Sequence, residues 1–554
     1  MPSPRFFGRP LLYLGAWLIV NLVSAAFSPL DPDETYYWMY AGQLDWGYFD
    51  HPPAVALLIA IGRDWLPGAL GLRLGHVLAG GLTVTAIYAL LDRPKGPLLA
   101  LAAVLVFAQP MLQVYGFIAT PDGSLLLFTA LYLLAFRNFL DRATAATALT
   151  WGLTMAGLLY SKYHGLVLIF FTVLPHFWYL VRLPRAWLAV GTGVALFAPH
   201  LYWQYVHDFP SFRYHLSGRD DPYQWKFTWQ YVLNQLLIFS PFLVYHYAQA
   251  WRTARTTDRF ATSLRWLIGG TLLFFLYTTT KGRTEAQWTA LLSVPLVVIT
   301  YRAARSVPAR FKGLATFAWV TVGILLLARV LLILPRDWLP VDKPFDHEPW
   351  VQRLQERAGD RPVIVENSYR FASLYEFYSG GHPAWTFTDV AYRPNQYDLW
   401  HRDSLYHERE VLLLGQGNWT LPDLDTFIVS RGEMRLRKVA GFQVVKDVRM
   451  EVEPFGTEGD RLRIYATAPR TVRLNGELPL QLHVIGQAPD ASFSYLPLTT
   501  GVERLERGVR TVVYEGPNLL LDRQNTGELR IGAGWSYSGM PPLRGQSAMI
   551  ELPR

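Results

Sequence analysis

The sequence predicts a polytopic α-helical membrane protein with a soluble C-terminal region that combines an α/β part and a β-rich part. Three observations predict it. Apolar runs of about 20 residues, the length that crosses a bilayer as a helix, recur through the first 335 residues. Residues 336–554 lack such runs. Charged residues make up only 17% of the chain, where about a quarter is usual for a soluble protein.

Eleven spans are expected, near 11–30, 69–91, 97–117, 123–140, 145–160, 165–181, 186–203, 229–250, 264–280, 286–301 and 314–334. The stretch Pro52–Leu66 is too short and interrupted to cross and reads as a helix along the interface. A cleaved signal peptide competes for the first run. That run is long for a signal segment, and no convincing small-residue cleavage site precedes Pro29, so it is read as a retained span. The soluble region reads as an α/β unit over 336–470 and a β-rich unit over 471–554. In it, Arg361–Asn367, Val411–Leu414, Thr426–Val429, Leu462–Ala466, Leu480–Val484 and Thr511–Tyr514 are expected strands, and Ser368–Tyr378 an expected helix. Asn418-Trp419-Thr420 fits a glycosylation acceptor pattern that is common by chance.

A net charge of +8 does not point to nucleic acid, because much of the excess lies in short loops between spans. One set of loops holds Arg5, Arg9, Arg93, Lys95, Arg137, Arg142, Arg182, Arg185, Arg252, Arg255, Arg259, Arg265, Arg302, Arg305, Arg310 and Lys312. The opposite set holds only Arg63, Lys162, Arg213, Arg219, Lys226, Lys281 and Arg283. Positively charged loops stay in the cytoplasm, so the N-terminus is expected inside and the soluble region outside. Cysteine is absent, which excludes disulfides and thiolate metal sites.

This topology puts every chemistry-bearing motif on the outer face. Asp33 and Glu34 follow the first span in Asp31-Pro32-Asp33-Glu34-Thr35-Tyr36-Tyr37-Trp38. Such carboxylates suit removal of a proton from an attacking hydroxyl, or stabilisation of oxocarbenium-like charge on a sugar. A solvated acidic loop is the plain alternative. Tyr36 and Tyr37 are interfacial aromatics or stacking surfaces for a sugar ring. Asp50 and His51 precede Pro52-Pro53, which hold the turn. His51 reads as a phosphate contact or an ordinary surface histidine. An Asp-His pair supplies only two metal ligands, so a divalent metal stays open and no cofactor is assigned. Asp122 in Thr120-Pro121-Asp122-Gly123 reads as a helix cap or as a second carboxylate reaching the same cavity. Lys162, Lys281 and Arg283 run against the topological charge bias, with Glu285 beside them and Arg73 at the outer start of the second span. A departing lipid phosphate needs such charge-assisted donors. Snorkelling to headgroups is the alternative, and it is the reading given to Arg329.

Taken as a set, Asp33-Glu34-Thr35-Tyr36-Tyr37-Trp38, Trp46–Pro53, Thr120-Pro121-Asp122, Ser161-Lys162-Tyr163 and Lys281-Gly282-Arg283 resemble bacterial members of the polyprenyl-phosphate-dependent glycosyltransferases of the GT-C fold, glycosyltransferase family 39. That group includes protein O-mannosyltransferases and lipid A aminoarabinose transferases. The resemblance covers roughly residues 10–300. It implies inverting transfer from a lipid phosphate donor, with Asp33 as base and Asp122 as the second acid. Lys162, Lys281 and Arg283 would hold the donor phosphate or shape the acceptor site. Two departures stand out: Tyr36 occupies an arginine position of the aminoarabinose branch, and Asp50-His51 replaces its Glu-Lys. Both argue against aminoarabinose as the sugar.

The expected function is thus a multi-pass enzyme of the bacterial cytoplasmic membrane. It moves a sugar from a polyprenyl-phosphate donor to an extracytoplasmic lipid, glycan or protein acceptor. The alternative is a transporter or flippase of polyprenyl-linked lipid or sugar, which buried charges within spans would favour.

Overall fold

A computed structural model describes residues 8–217, 222–254, 258–334, 346–400, 402–415, 419, 423–429, 432–456, 459–488, 492–520, 530–537 and 539–551. The chain divides into two compact units, Met1–Asp342 and Lys343–Arg554.

The first unit is helical. Its helices are α1 (Gly8–Phe27), α2 (Pro32–Ala41), α3 (Ala54–Arg63), α4 (Gly68–Leu90), α5 (Gly96–Phe107), α6 (Pro110–Tyr115), α7 (Pro121–Asp141), α8 (Ala145–Ser161) and α9 (Gly165–Val173). They continue with α10 (Phe177–Leu180), α11 (Pro184–Val206), α12 (Pro210–Ser217), α13 (Trp225–Ile238), α14 (Val244–Thr253), α15 (Arg259–Thr278), α16 (Ser293–Ser306) and α17 (Leu314–Ile333). Among the described residues, five helices are long and apolar enough to cross a membrane: Arg9–Phe27, Gly68–Leu90, Pro121–Asp141, Arg259–Thr278 and Pro308–Ile333.

The other expected spans are interrupted or fall short of that measure. Prolines explain four interruptions, because each removes a backbone donor and crowds the preceding turn. Pro110 separates α5 from α6, and Pro175 sits in the 3-10 turn Leu174–His176 after α9. Pro241 follows α13, where Ser240 takes a positive φ of 67°. Pro295 lies at the start of α16, directly after the 3-10 segment Ala286–Leu292. The expected interfacial stretch contains the helix α3.

Helix packing around the site depends on small residues, which let backbones approach. The α3–α4 hairpin is the tightest case. A methyl group on Gly75 would overlap the Leu58 carbonyl, and one on Gly71 would overlap the Leu66 carbonyl. This close approach fixes the face of α4 that carries Arg73. Helices α7, α8 and α11 pack in succession, and α4 also packs on α1 and α7. Their shared core includes Trp17, Leu105, Leu133, Phe136, Trp151 and Leu158.

The second unit opens with α18 (Glu348–Ala358), β1 (Val363–Glu366), α19 (Tyr369–Tyr378) and β2 (Ala384–Phe387). With β3 (Val411–Gly415), β4 (Asp425–Val429) and β5 (Gly432–Val439) these strands form a sheet in the order β2-β1-β3-β5-β4. The pairs β1–β2 and β1–β3 are parallel, while β3–β5 and β5–β4 are antiparallel. Both faces of β1 and β3 are buried, as their continuous apolar runs require. The later strands β6 (Arg449–Phe455), β7 (Arg461–Thr467) and β12 (Arg510–Pro517) form a three-stranded sheet in the order β12-β7-β6. Strands β9 (Leu480–Gln487), β10 (Phe493–Leu498), β13 (Arg530–Tyr537) and β14 (Ile550–Glu551) form another, ordered β10-β9-β13-β14, and the short strands β8 (Val472–Arg473) and β11 (Arg504–Leu505) pair with each other. Arg5, Arg219, Arg255, Asn418 and Thr420 of the sequence reading lie outside the described residues. Trp419 is buried and donates to Glu366 at 2.9 Å.

The glycine contacts make a paired prediction. Gly75→Ala destabilises the detergent-solubilised protein, by about 1–3 kcal/mol for overpacking. Gly191→Ala, where an added methyl meets nothing within 4 Å, is neutral or stabilising by up to about 1 kcal/mol. Thermal unfolding of the two variants checks the difference in sign.

Candidate active site

The site begins at the start of α2. Asp31 caps this helix: its side chain accepts from the Asp33 N–H at 2.8 Å, and Glu34 reaches back to accept from the Asp31 N–H at 2.9 Å. Pro32 stands at the first helical position, where no donor is needed. This capping box sets the two adjacent acids differently. Asp33 is half-buried, whereas Glu34 is fully buried.

Glu34 is locked. The Arg73 guanidinium donates to both of its oxygens, Nε to Oε1 at 2.7 Å and Nη2 to Oε2 at 2.5 Å. The Ala119 N–H also donates to Oε1, at 2.8 Å. The remaining Arg73 donors meet the Ser28 carbonyl and hydroxyl at 2.9 and 3.0 Å and the Pro29 carbonyl at 2.9 Å. One buried pair therefore ties together the end of α1, the start of α2, α4 and the loop before α7.

That loop delivers Asp122 to the first turn of α7, where it is buried. Lys162, just past the end of α8, donates to both Asp122 oxygens at 2.8 Å. His76 lies on α4 one turn after Arg73, fully buried, and a methyl group on Gly123 would come within 2.8 Å of its ring. The Glu34–Ala119 bond thus brings the loop of Asp33 beside the loop of Asp122.

The second motif folds onto the same helix. Tyr40 donates to Asp50 at 2.6 Å and stacks on Tyr48 with ring centroids 4.1 Å apart. Tyr37 packs edge-on against His51, and Tyr36 is buried against Tyr37 and Tyr40. Burial and the neighbouring Asp50 charge push the Tyr40 hydroxyl well above its ordinary range, so it stays a donor. Burial does the same for Tyr163, with a smaller contribution from Asp50. Tyr163 exchanges a hydrogen bond with His200 at 3.0 Å and accepts one from Gln204. Gln204 also donates to Ser211, which donates to the Tyr48 carbonyl. His200 in turn meets the Trp46 carbonyl at 2.7 Å.

The turn after α8 packs through His164 on Phe275 of α15 and on Trp288 of the 3-10 segment before α16, with ring centroids 5.4 Å apart in both cases. Lys281 and Arg283 are exposed, and Arg283 pairs with Glu285 at 3.4 Å. The described contacts do not bring these three to Asp33 or Asp122. Among the described residues, no three of His, Asp and Glu gather as metal ligands.

The structure also corrects the reading of Arg329. It is buried rather than extended to the surface, and it donates to Ser24, Asn21 and the Gln113 carbonyl. Sequence reasoning passed over His76, Tyr40 and the His200–Gln204 pair. The available signal was polar residues spaced three or four apart inside apolar runs, which puts them on one helix face.

Residues 50–203 match the family described as dolichyl-phosphate-mannose-protein mannosyltransferase. A lipid A galacturonosyltransferase, RgtD of Rhizobium johnstonii, is 28% identical over 234 residues, covering 37% of this chain. The match takes in 45% of the length of that relative. ArnT from Cupriavidus metallidurans superposes in its apo state with a TM-score of 0.60 at 14% identity, over 78% of this chain and 98% of that one. The same protein bound to undecaprenyl phosphate gives a TM-score of 0.59 at 15% identity, with the same coverage of both chains. The fold is that of the GT-C membrane glycosyltransferases. Within that class, the resemblance to the polyprenyl-phosphate-dependent enzymes holds.

The buried pair makes a prediction that needs no substrate. Arg73→Met leaves Glu34 buried without its cation and costs about 3–5 kcal/mol, while Arg73→Met combined with Glu34→Met recovers part of that loss. A double-mutant cycle by thermal unfolding checks the coupling.

Proposed function

We propose that this chain is an inverting glycosyltransferase whose active site opens on the extracytoplasmic side of the bacterial cytoplasmic membrane. Its donor is a sugar linked to polyprenyl phosphate, and its acceptor is a hydroxyl of a lipid, glycan or protein. The observation that carries the reading is the hydrogen bond from the Ala119 N–H to Glu34, which joins the segment that holds Asp33 to the segment that leads into Asp122. The likeness of the chain to the lipid A galacturonosyltransferase favours a lipid among the acceptors.

Asp33 is the general base. Of the three acids it alone keeps solvent access, whereas Glu34 and Asp122 are buried against Arg73 and Lys162. Asp33 takes the proton of the acceptor hydroxyl as that oxygen bonds to the anomeric carbon from the face opposite the leaving group. The bond from the anomeric carbon to the phosphate oxygen breaks, and polyprenyl phosphate leaves as an anion. That anion needs cationic donors rather than a strong acid. Lys281 and Arg283 meet this need from the outer loop. Glu34, Arg73 and the Asp122–Lys162 pair hold the geometry, and Tyr36, Tyr37, Asp50 and His51 shape the donor pocket. Eleven crossings with the N-terminus inside put this mouth and the region after residue 335 on the outer side. That region comprises the α/β unit over 336–470 and the β-rich unit over 471–554.

A transport reading has one observation in its favour, the charges buried on α4 and α17. Arg73 and Arg329, however, are both bound to fixed protein groups, which suits structure better than a moving charge. Movement of labelled lipid without sugar transfer would favour transport.

Asp33→Asn keeps the shape and removes the base. In vesicles supplied with a polyprenyl-phosphate sugar, transfer falls about 10²–10⁴-fold, the usual contribution of a general base. The unfolding temperature stays close to that of the wild type. Undiminished transfer by the variant would refute the assignment of Asp33.

A further inference from the structure

Arg329 is a charge where a charge is costly. It lies near the C-terminal end of α17, buried, with no ion pair among the described residues. An unpaired cation in such surroundings needs a compensating role. Its donors go to neutral groups on two other elements. Nη1 donates to Ser24 Oγ at 2.6 Å and more weakly to the Val20 carbonyl at 3.5 Å, both on α1. Nη2 donates to Asn21 Oδ1 at 3.0 Å and to the Gln113 carbonyl on α6.

The flat face of the guanidinium is used as well. Its carbon lies 4.7 Å from the centre of the Phe117 ring, and the Arg73 guanidinium carbon lies 5.4 Å from the same ring. The backbone between these contacts is tight: a methyl group on Gly116 would come within 2.8 Å of Asn21 Oδ1. Two residues past Phe117 is Ala119, whose N–H holds Glu34, and three further on is Asp122. A planar fork with five donors can grip two helices and a ring at once. Neither an ammonium nor a neutral side chain offers that geometry.

We infer that Arg329 is a positioning residue for the acidic loop. It clamps the segment 113–122 between α1 and α17, and so sets where Asp122 stands and where the Ala119 N–H meets Glu34. The link to catalysis rests on the proposed function, but the clamp itself does not.

The test uses the full chain, which lacks cysteine. A single cysteine is placed by Thr120→Cys, and a second protein carries Leu405→Cys at an exposed position of the other unit. The readout is the rate of modification by a water-soluble maleimide in detergent. Arg329→Met raises the rate at position 120 about tenfold, as local closure weakens, and leaves position 405 unchanged. Arg329→Lys gives a smaller rise. If Arg329→Met does not fold, Asn21→Ala and Ser24→Ala, which remove the two side-chain acceptors of Arg329 and keep its guanidinium, raise the same rate. Equal rates at position 120 with and without the clamp overturn the inference, as does a parallel rise at both positions. Where the wild type transfers sugar, Arg329→Met lowers kcat and leaves KM for the lipid donor unchanged. A wild type that transfers nothing would count against the proposed function, while the labelling rates would still decide the clamp.

Discussion

The Glu34–Arg73 pair is the constraint on which the site is built. A buried carboxylate and guanidinium are costly to desolvate, and they persist only when nearly every donor and acceptor is met. Here Glu34 receives Arg73 twice, the Asp31 N–H and the Ala119 N–H, while Arg73 also serves the carbonyls that close α1. Three stretches far apart in sequence are thereby fixed to one point. Asp33 precedes Glu34 directly, so its backbone cannot shift without breaking this arrangement.

From that point the loops are joined one to the next. Asp122 is held by Lys162, Tyr163 by His200 and Gln204, and His164 packs on Trp288. Each link fixes the start or end of a different helix. A site of this kind spends little on reorganisation when a substrate arrives, which is how fixed charges and dipoles favour a transition state over the ground state. The tyrosines around Asp50 extend the same pattern with neutral donors.

The division into a helical part and a strand-rich part was legible because the two obey different periods and one lacks membrane-length apolar runs. Breaks at Pro110, Pro175 and Pro241 were less legible, since an apolar run looks continuous until a missing donor is counted. The motif Asp33-Glu34 reads as two equivalent acids. The spacing from Asp31 to Glu34, which is that of a capping box, was the clue that one of them faces inward. That Arg73 is the partner, 39 residues away, depends on the α3–α4 hairpin and its glycines, which no local pattern reveals. Arg329 was misread for a related reason. A lone arginine near the end of a span resembles a snorkelling one until Asn21 and Ser24, three apart on α1, turn out to face it.

The side of the membrane decides whether a polyprenyl-linked sugar can reach Asp33 at all. Leu44 lies in the same loop as the acidic motif and is 54% exposed. A single Leu44→Cys substitution in a chain without other cysteines can be probed with a membrane-impermeant maleimide on sealed spheroplasts. Labelling of intact spheroplasts from the medium is the expected result. Labelling only after the membrane is permeabilised would put the loop in the cytosol and contradict an outward-facing transferase.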